Sequence, residues 1–132
     1  MKKIPKYLKQ IIKDNKIKVR WWNNRYSAAY SSSKIIILSK HYNNYQLFIS
    51  TIFHEIAHIK CYNEGLFIRY HISDKRKHLD YLRRYGLRAE MYVDKVANKL
   101  MKEHSNMRFL GQYKQKYARE WYKNVWLKKE VK

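Results

Sequence analysis

The spacing of apolar positions changes several times along the chain, and each change marks an element. Tyr7, Leu8, Ile11 and Ile12 recur at helical spacing behind Pro5, a residue suited to a first helical position. A short helix is therefore expected to end near Asp14 and Asn15. The period then drops to two: Ile17, Val19 and Trp21 alternate with Lys16, Lys18 and Arg20, the pattern of a half-buried strand. Asn23 and Asn24 tolerate the positive φ angles of a tight turn, which predicts a partner strand carrying Tyr26, Ala28 and Tyr30. Ser31, Ser32 and Ser33 make the next break. Ile35, Ile36, Ile37 and Leu38 then read as a buried strand, apolar and rich in β-branched residues.

After a loop at residues 41 to 44 the spacing becomes helical. Leu47, Phe48, Thr51, Ile52, Ile56 and Ile59 keep a broad apolar face through about residue 62, with Asn43 or Asn44 as the cap. Residues 63 to 79 are polar and mixed, with a short helix expected near the end of that stretch. Gly86 is a break, and residues 87 to 104 read as a second long helix. Leu110, Tyr113, Tyr117, Trp121 and Val125 mark a third, with a core-facing aromatic stripe and a basic remainder. No internal repeat or low-complexity segment interrupts the pattern. The expected architecture is α+β, a single small domain over residues 1 to 132. A short antiparallel or mixed sheet comes first, followed by one helix bearing the chemistry and two further long helices.

Composition narrows the class. A chain of 132 residues with 45% hydrophobic content supports one real core and is not a disordered tail. The lone cysteine, Cys61, excludes an intrachain disulfide and a cysteine-rich zinc module. Lys2, Lys3 and Lys6 are not followed by an unbroken apolar run, because Lys9, Lys13 and Asp14 interrupt it, so a signal peptide is not expected. No window approaches the length of a membrane span, and a cytoplasmic protein is the default expectation. The formal charge of +20 favours contact with nucleic acid or another polyanion through phosphate neutralisation. Abundant Lys, Asn, Ile and Tyr also fit an AT-rich coding sequence, which would produce the charge without a function.

The first long helix contains His54-Glu55-Ile56-Ala57-His58. One turn separates the histidines, so both imidazoles project from one face and can bind one metal ion. Glu55 lies close enough to take a proton from water activated there. The pattern arises by chance in roughly one chain in a hundred of this length, and the bland alternative is a helix with surface histidines. The apolar flanks Ile52, Phe53 and Ile59 argue against that, because burying titratable groups without partners is costly. Two histidines leave a tetrahedral zinc site half empty. Glu90 is the leading third ligand, and Asp94, four residues on along the same helix face, can accept the free N–H of a ligating histidine. His71 and His78 compete for the third position, although His78 sits in a basic run more often solvated than ligating. Cys61 falls on the histidine face, where a small buried residue is the commoner role.

An apolar strand, a loop, an apolar helix with HExxH, and then Glu90, Val93, Asp94 and Ala97 ahead of Leu100 and Met101 together resemble the ImmA/IrrE type of zinc peptidase. The likeness covers about residues 35 to 101. It implies a gluzincin-like centre: one zinc ion on His54, His58 and Glu90, with Glu55 as general base and Asp94 as an outer hydrogen-bond partner. It also implies a peptide substrate lying extended along a sheet edge, for which residues 26 to 30 are the candidate strand. Ala57 stands where such motifs usually have Gly, Val93 where Ala is common, and the interval from His58 to Glu90 is long. A SprT-like peptidase is a weaker resemblance and would use a later histidine as third ligand. Tyr92, Tyr70 and His71 are candidate oxyanion donors. The expected activity is hydrolysis of peptide bonds, with DNA-associated proteins as a substrate class the charge suggests. The alternative is a basic nucleic-acid-binding protein with a structural or vestigial metal site, whose aromatic C-terminal helix stacks on bases. A structural zinc site would be closed by four ligands and would leave Glu55 without a task.

Overall fold

The structure, a computed structural model, describes residues 3–24, 27–42, 44–66 and 87–111. Helix α1 (Lys6–Asp14) starts behind Pro5, whose φ of −63° is already set for the first turn. It buries Leu8, Ile11 and Ile12 and turns its lysines outward. Its end is a Schellman motif. The Ile17 N–H donates to Ile12 O and the Lys16 N–H to Lys13 O, both at 3.0 Å, with Lys16 left-handed at φ 57°. Glycine usually holds this position, since a side chain there costs about 1–2 kcal/mol.

Strands β1 (Lys18–Trp22), β2 (Ala28–Tyr30) and β3 (Ile35–Ser39) form one mixed sheet in the order β1-β3-β2. β1 runs parallel to β3, with Lys18 opposite Ile35, and β2 runs antiparallel to it, with Tyr30 opposite Ile35. The expected hairpin between β1 and β2 does not form, and neither Asn23 nor Asn24 takes a positive φ. The reason is burial. β3 is the most apolar strand, with Ile36 and Leu38 fully buried, so it takes the central position where both backbone edges are hydrogen-bonded. The more polar β1 and the short β2 become the edges. A 3₁₀ turn at Ser31–Ser33 and a left-handed Lys34 (φ 54°) link β2 to β3.

Helix α2 (Tyr45–Asn63) crosses the inner face of the sheet. Asn44 caps it, its Oδ1 accepting the Leu47 N–H at 3.0 Å. Nearly every side chain from Phe48 to Ile59 is buried, as befits a helix apolar on all sides. Phe48 is the hub, stacked with Trp21 at 6.0 Å between centroids and met edge-on by Tyr42 at 5.3 Å. The helix runs to Asn63 and ends in a second Schellman motif, with Gly65 at φ 80° and the Leu66 N–H reaching back to Cys61 O.

Helix α3 (Leu87–His104) packs along α2 through Ala89, Val93, Ala97 and Met101, a stripe repeating every four residues. The chain beyond α3 folds back over the start of α2, where Ser50 Oγ accepts the Leu110 N–H at 2.9 Å and Gln46 Nε2 donates to Arg108 O at 2.8 Å. The α+β class and the order of sheet before helices are as expected. The short helix expected near residue 79 and the aromatic helix from Tyr113 to Val125 lie outside the described residues, and Leu110 itself is not helical. Among the described residues, no helix is long and apolar enough to cross a membrane.

Replacing Phe48 with Ala is expected to lower the unfolding free energy by about 3–5 kcal/mol, and Asn44→Ala by about 1 kcal/mol. Urea titration monitored by Trp fluorescence measures both. Equal small losses at the two sites would contradict the placement of Phe48 at the centre of the core.

Candidate metal centre

Helical geometry puts His54 and His58 one turn apart on α2, and Glu90 and Asp94 one turn apart on α3. Packing of the two helices through small and β-branched residues then closes the gap between the pairs. Ala57, at a position where glycine is common in such motifs, is fully buried in this contact-rich stretch of α2. His54, Glu55, His58 and Glu90 are each no more than 6% exposed, and Asp94 is sealed.

The histidine Nε2 atoms lie 3.1 Å apart. His54 Nε2 is 3.0 Å from Glu90 Oε2, and His58 Nε2 is 3.2 Å from Glu90 Oε1. On the other side of the ring, His54 Nδ1 lies 2.7 Å from Asp94 Oδ1. A carboxylate accepts there, so Nδ1 carries the hydrogen and, in neutral His54, Nε2 presents a lone pair. That lone pair faces a second imidazole nitrogen and a carboxylate. The three groups can share only a proton or a cation. Donor atoms around a tetrahedral ion, with bonds of about 2.0–2.1 Å, sit about 3.3 Å from one another. The observed separations of 3.0–3.2 Å are close to that edge. The residues therefore fit a metal ion, and His54, His58 and Glu90 form a buried group able to hold one.

Electrostatics point the same way. Burial alone would depress the His54 pKa, but hydrogen bonds to Asp94 and Glu90 overcome this and raise it well above its ordinary 6.5. Burial would raise Glu90, yet His58 and His54 hold it well below its ordinary 4.5. The pocket thus attracts positive charge. Burial raises the Glu55 carboxyl, with the two histidines pulling the other way. Glu55 Oε1 is 3.9 Å from His54 Nε2, and Oε2 is buried with no hydrogen-bond partner among the described residues. Buried carboxylate oxygens ordinarily accept hydrogen bonds, so Oε2 is a free acceptor beside the ligand atoms.

The structure brings together His54, Glu55, His58, Glu90 and Asp94, all singled out from the sequence. Cys61 joins the hydrophobic core rather than the ligand group, and burial pushes its thiol up to about 11. His71, His78 and Tyr70 lie outside the described residues. Tyr92 is 43% exposed and sits roughly 200° around α3 from Glu90. Sequence reasoning overlooked Tyr42. Its hydroxyl lies 2.8 Å from Ser27 Oγ, burial raises its pKa, and it is near enough to Glu55 to feel that charge. Among 13 tyrosines, in a loop with no periodicity, nothing marked it out.

No protein-family model, no curated protein and no solved structure matches the chain.

The protein is expected to take up one divalent ion per chain. His54→Ala, His58→Ala and Glu90→Ala should abolish uptake, Asp94→Asn should weaken it by about 10–100-fold, and Glu55→Gln should retain it. Elemental analysis after dialysis, with competition against a chromogenic chelator, reads all five. For the metal-free protein the shifts also set a pH optimum. The His54 contribution is complete below 6.5 and lost as pH rises towards its raised folded value. The Glu90 contribution is complete above 4.5 and lost as pH falls towards its lowered value. Glu55, raised from 4.5, adds to the alkaline loss. Urea midpoints of chelator-treated protein should therefore peak in weakly acidic solution and decline on both sides, and a flat profile would refute the coupling.

Proposed function

We propose that this protein is a zinc-dependent endopeptidase with a gluzincin-like centre of the ImmA/IrrE type. The observation that carries the reading is one buried carboxylate oxygen, Glu55 Oε2, without a donor beside three converging ligand atoms. A structural site has no use for such a group; a hydrolytic site requires it.

His54, His58 and Glu90 hold the ion, and two imidazoles with one carboxylate suit zinc and leave a position open. When bound, zinc supplies a Lewis acid and lowers the pKa of water in its coordination sphere towards neutrality. Asp94 keeps the His54 hydrogen on Nδ1, so that Nε2 stays turned to the site. Glu55 takes the proton from the attacking water as its oxygen adds to the peptide carbonyl. It then delivers that proton to the departing amine as the C–N bond breaks. A carboxylate held beside the reacting water can both accept and release a proton. Surrounding Ile and Phe side chains of α2 exclude bulk water from the reacting groups.

Strand β2 (Ala28–Tyr30) supports the expected substrate path. It is an edge of the sheet and touches α2, and among the described residues its outer side pairs with no other strand, which suits an extended peptide beside the metal helix. Tyr26, the start of the strand as read from sequence, lies outside the described residues.

Zinc-loaded protein is expected to cleave fluorescein-labelled casein, with activity removed by chelation and restored by zinc. Glu55→Gln should cut the rate by about 10²–10⁴-fold while retaining the ion. Equal rates in wild type and Glu55→Gln would sink the assignment, as would an inert zinc-loaded wild type across several unfolded protein substrates.

A further inference from the structure

Charge is not spread evenly over the described residues. Residues 3–24 and 27–42, which build α1 and the sheet, contain nine Lys and Arg but a single acid, Asp14. That carboxylate is engaged by Gln10 Nε2 at 2.7 Å. Residues 44–66 and 87–111, which build α2 and α3, form a longer stretch with only six Lys and Arg, and outside the buried Glu55, Glu90 and Asp94 they carry two acids, Glu64 and Glu103. A compositional bias towards lysine would load both halves alike, so the segregation calls for its own explanation.

The lysines are also held in place. Lys6, Lys9 and Lys13 occupy one exposed stripe of α1, roughly 4.5 and 6 Å apart along its axis. Leu8, Ile11 and Ile12 on the opposite side are already buried in the core. Two further lysines, Lys16 and Lys34, are the non-glycine residues with positive φ among the described residues. Both sit just ahead of a strand, Lys16 before β1 and Lys34 before β3. Because these strands are parallel, the two lysines come to the same end of the sheet. The Lys18 N–H donates to Lys34 O at 2.9 Å, and the Lys16 N–H to Lys13 O at 3.0 Å, so the cluster Lys13, Lys16, Lys18 and Lys34 is built on fixed backbone. Glycine would take either left-handed position more cheaply, yet both carry a cation.

We propose that the stripe on α1 and the lysine cluster at the start of β1 and β3 bind the sugar–phosphate backbone of nucleic acid without regard to sequence. Fixed cations on one face neutralise phosphates and release their counterions. Contacts to phosphate carry no sequence information, which is why the binding is sequence-independent. An anionic membrane is the poorer partner, because α1 spends its apolar face in the core and has none left to insert. The proposal stands apart from the peptidase reading, since α2 and α3 hold the metal-binding group.

The test measures binding of a fluorescein-labelled 24-base-pair DNA duplex of arbitrary sequence by anisotropy over a range of salt. One variant combines Lys13→Gln, Lys16→Gly, Lys18→Gln and Lys34→Gly, the glycines being placed where the backbone favours them. A second variant removes the same charge from the exposed side of the helical half through Lys60→Gln, Lys95→Gln, Lys99→Gln and Lys102→Gln. The first should weaken binding at least tenfold in 100 mM salt and reduce the slope of log K against log salt by about 3–4. The second should change affinity by less than about twofold. Equal losses in the two variants would overturn the assignment, since net charge alone would then account for binding. So would the absence of wild-type binding at 100 mM salt, or tighter binding to phosphatidylserine vesicles than to the duplex. Circular dichroism and metal content of each variant separate lost contacts from lost folding.

Discussion

Five titratable side chains lie buried where α2 meets α3, and the packing of the two helices depends on four of them, His54, His58, Glu90 and Asp94, satisfying one another. Glu90 and Asp94 cannot be drawn against a helix as apolar as α2 unless each carboxylate meets a partner there. His54 serves both, Asp94 through Nδ1 and Glu90 through Nε2. It is the pivot of the interface. The cost of leaving any member unpaired also fixes register: sliding α3 by one residue would rotate both carboxylates about 100° away from the histidines.

The same requirement explains the layered design. A helix carrying polar chemistry inside a hydrophobic shell needs cover for its apolar faces, and among the described residues the short sheet, α1 and α3 supply it. Tyr7 reaches Phe53 from α1, Trp21 reaches Phe48 from β1, and Met101 approaches Ser50 from α3. The rigid core thereby holds the donor atoms close together in positions a cation can fill. Burial, which is costly for each charge separately, makes their mutual attraction strong. Charge on the outer surface follows a different logic, most concentrated on α1 and the sheet and weaker on the helical pair.

Local signals carried much of the architecture. Leu87–His104 matches the helix read from periodicity, and Asn44 is one of the two caps proposed for α2. Val19 and Trp21 face inward from β1, and Ile17 just ahead of it, as their alternation implied. These features depend on spacing along one segment, with period two or 3.6, and so are written in that segment. The strand order was not. Asn23 and Asn24 suggested a turn, but pairing is a competition among strands, and the most apolar one took the centre.

The sequence by itself determined the two halves of the site. One turn of helix separates His54 from His58, and another separates Glu90 from Asp94, and any helix formed there must present each pair on one face. Only the tertiary structure decided that these faces meet, because the interval of about thirty residues between His58 and Glu90 carries no local code for where α3 will lie. It alone assigned Asp94 to Nδ1 and Glu90 to Nε2, left Glu55 Oε2 without a donor, and brought Tyr42 to Ser27. The physical reason is that hydrogen-bond partners and burial are properties of the packed pair of helices, which neither helix possesses alone.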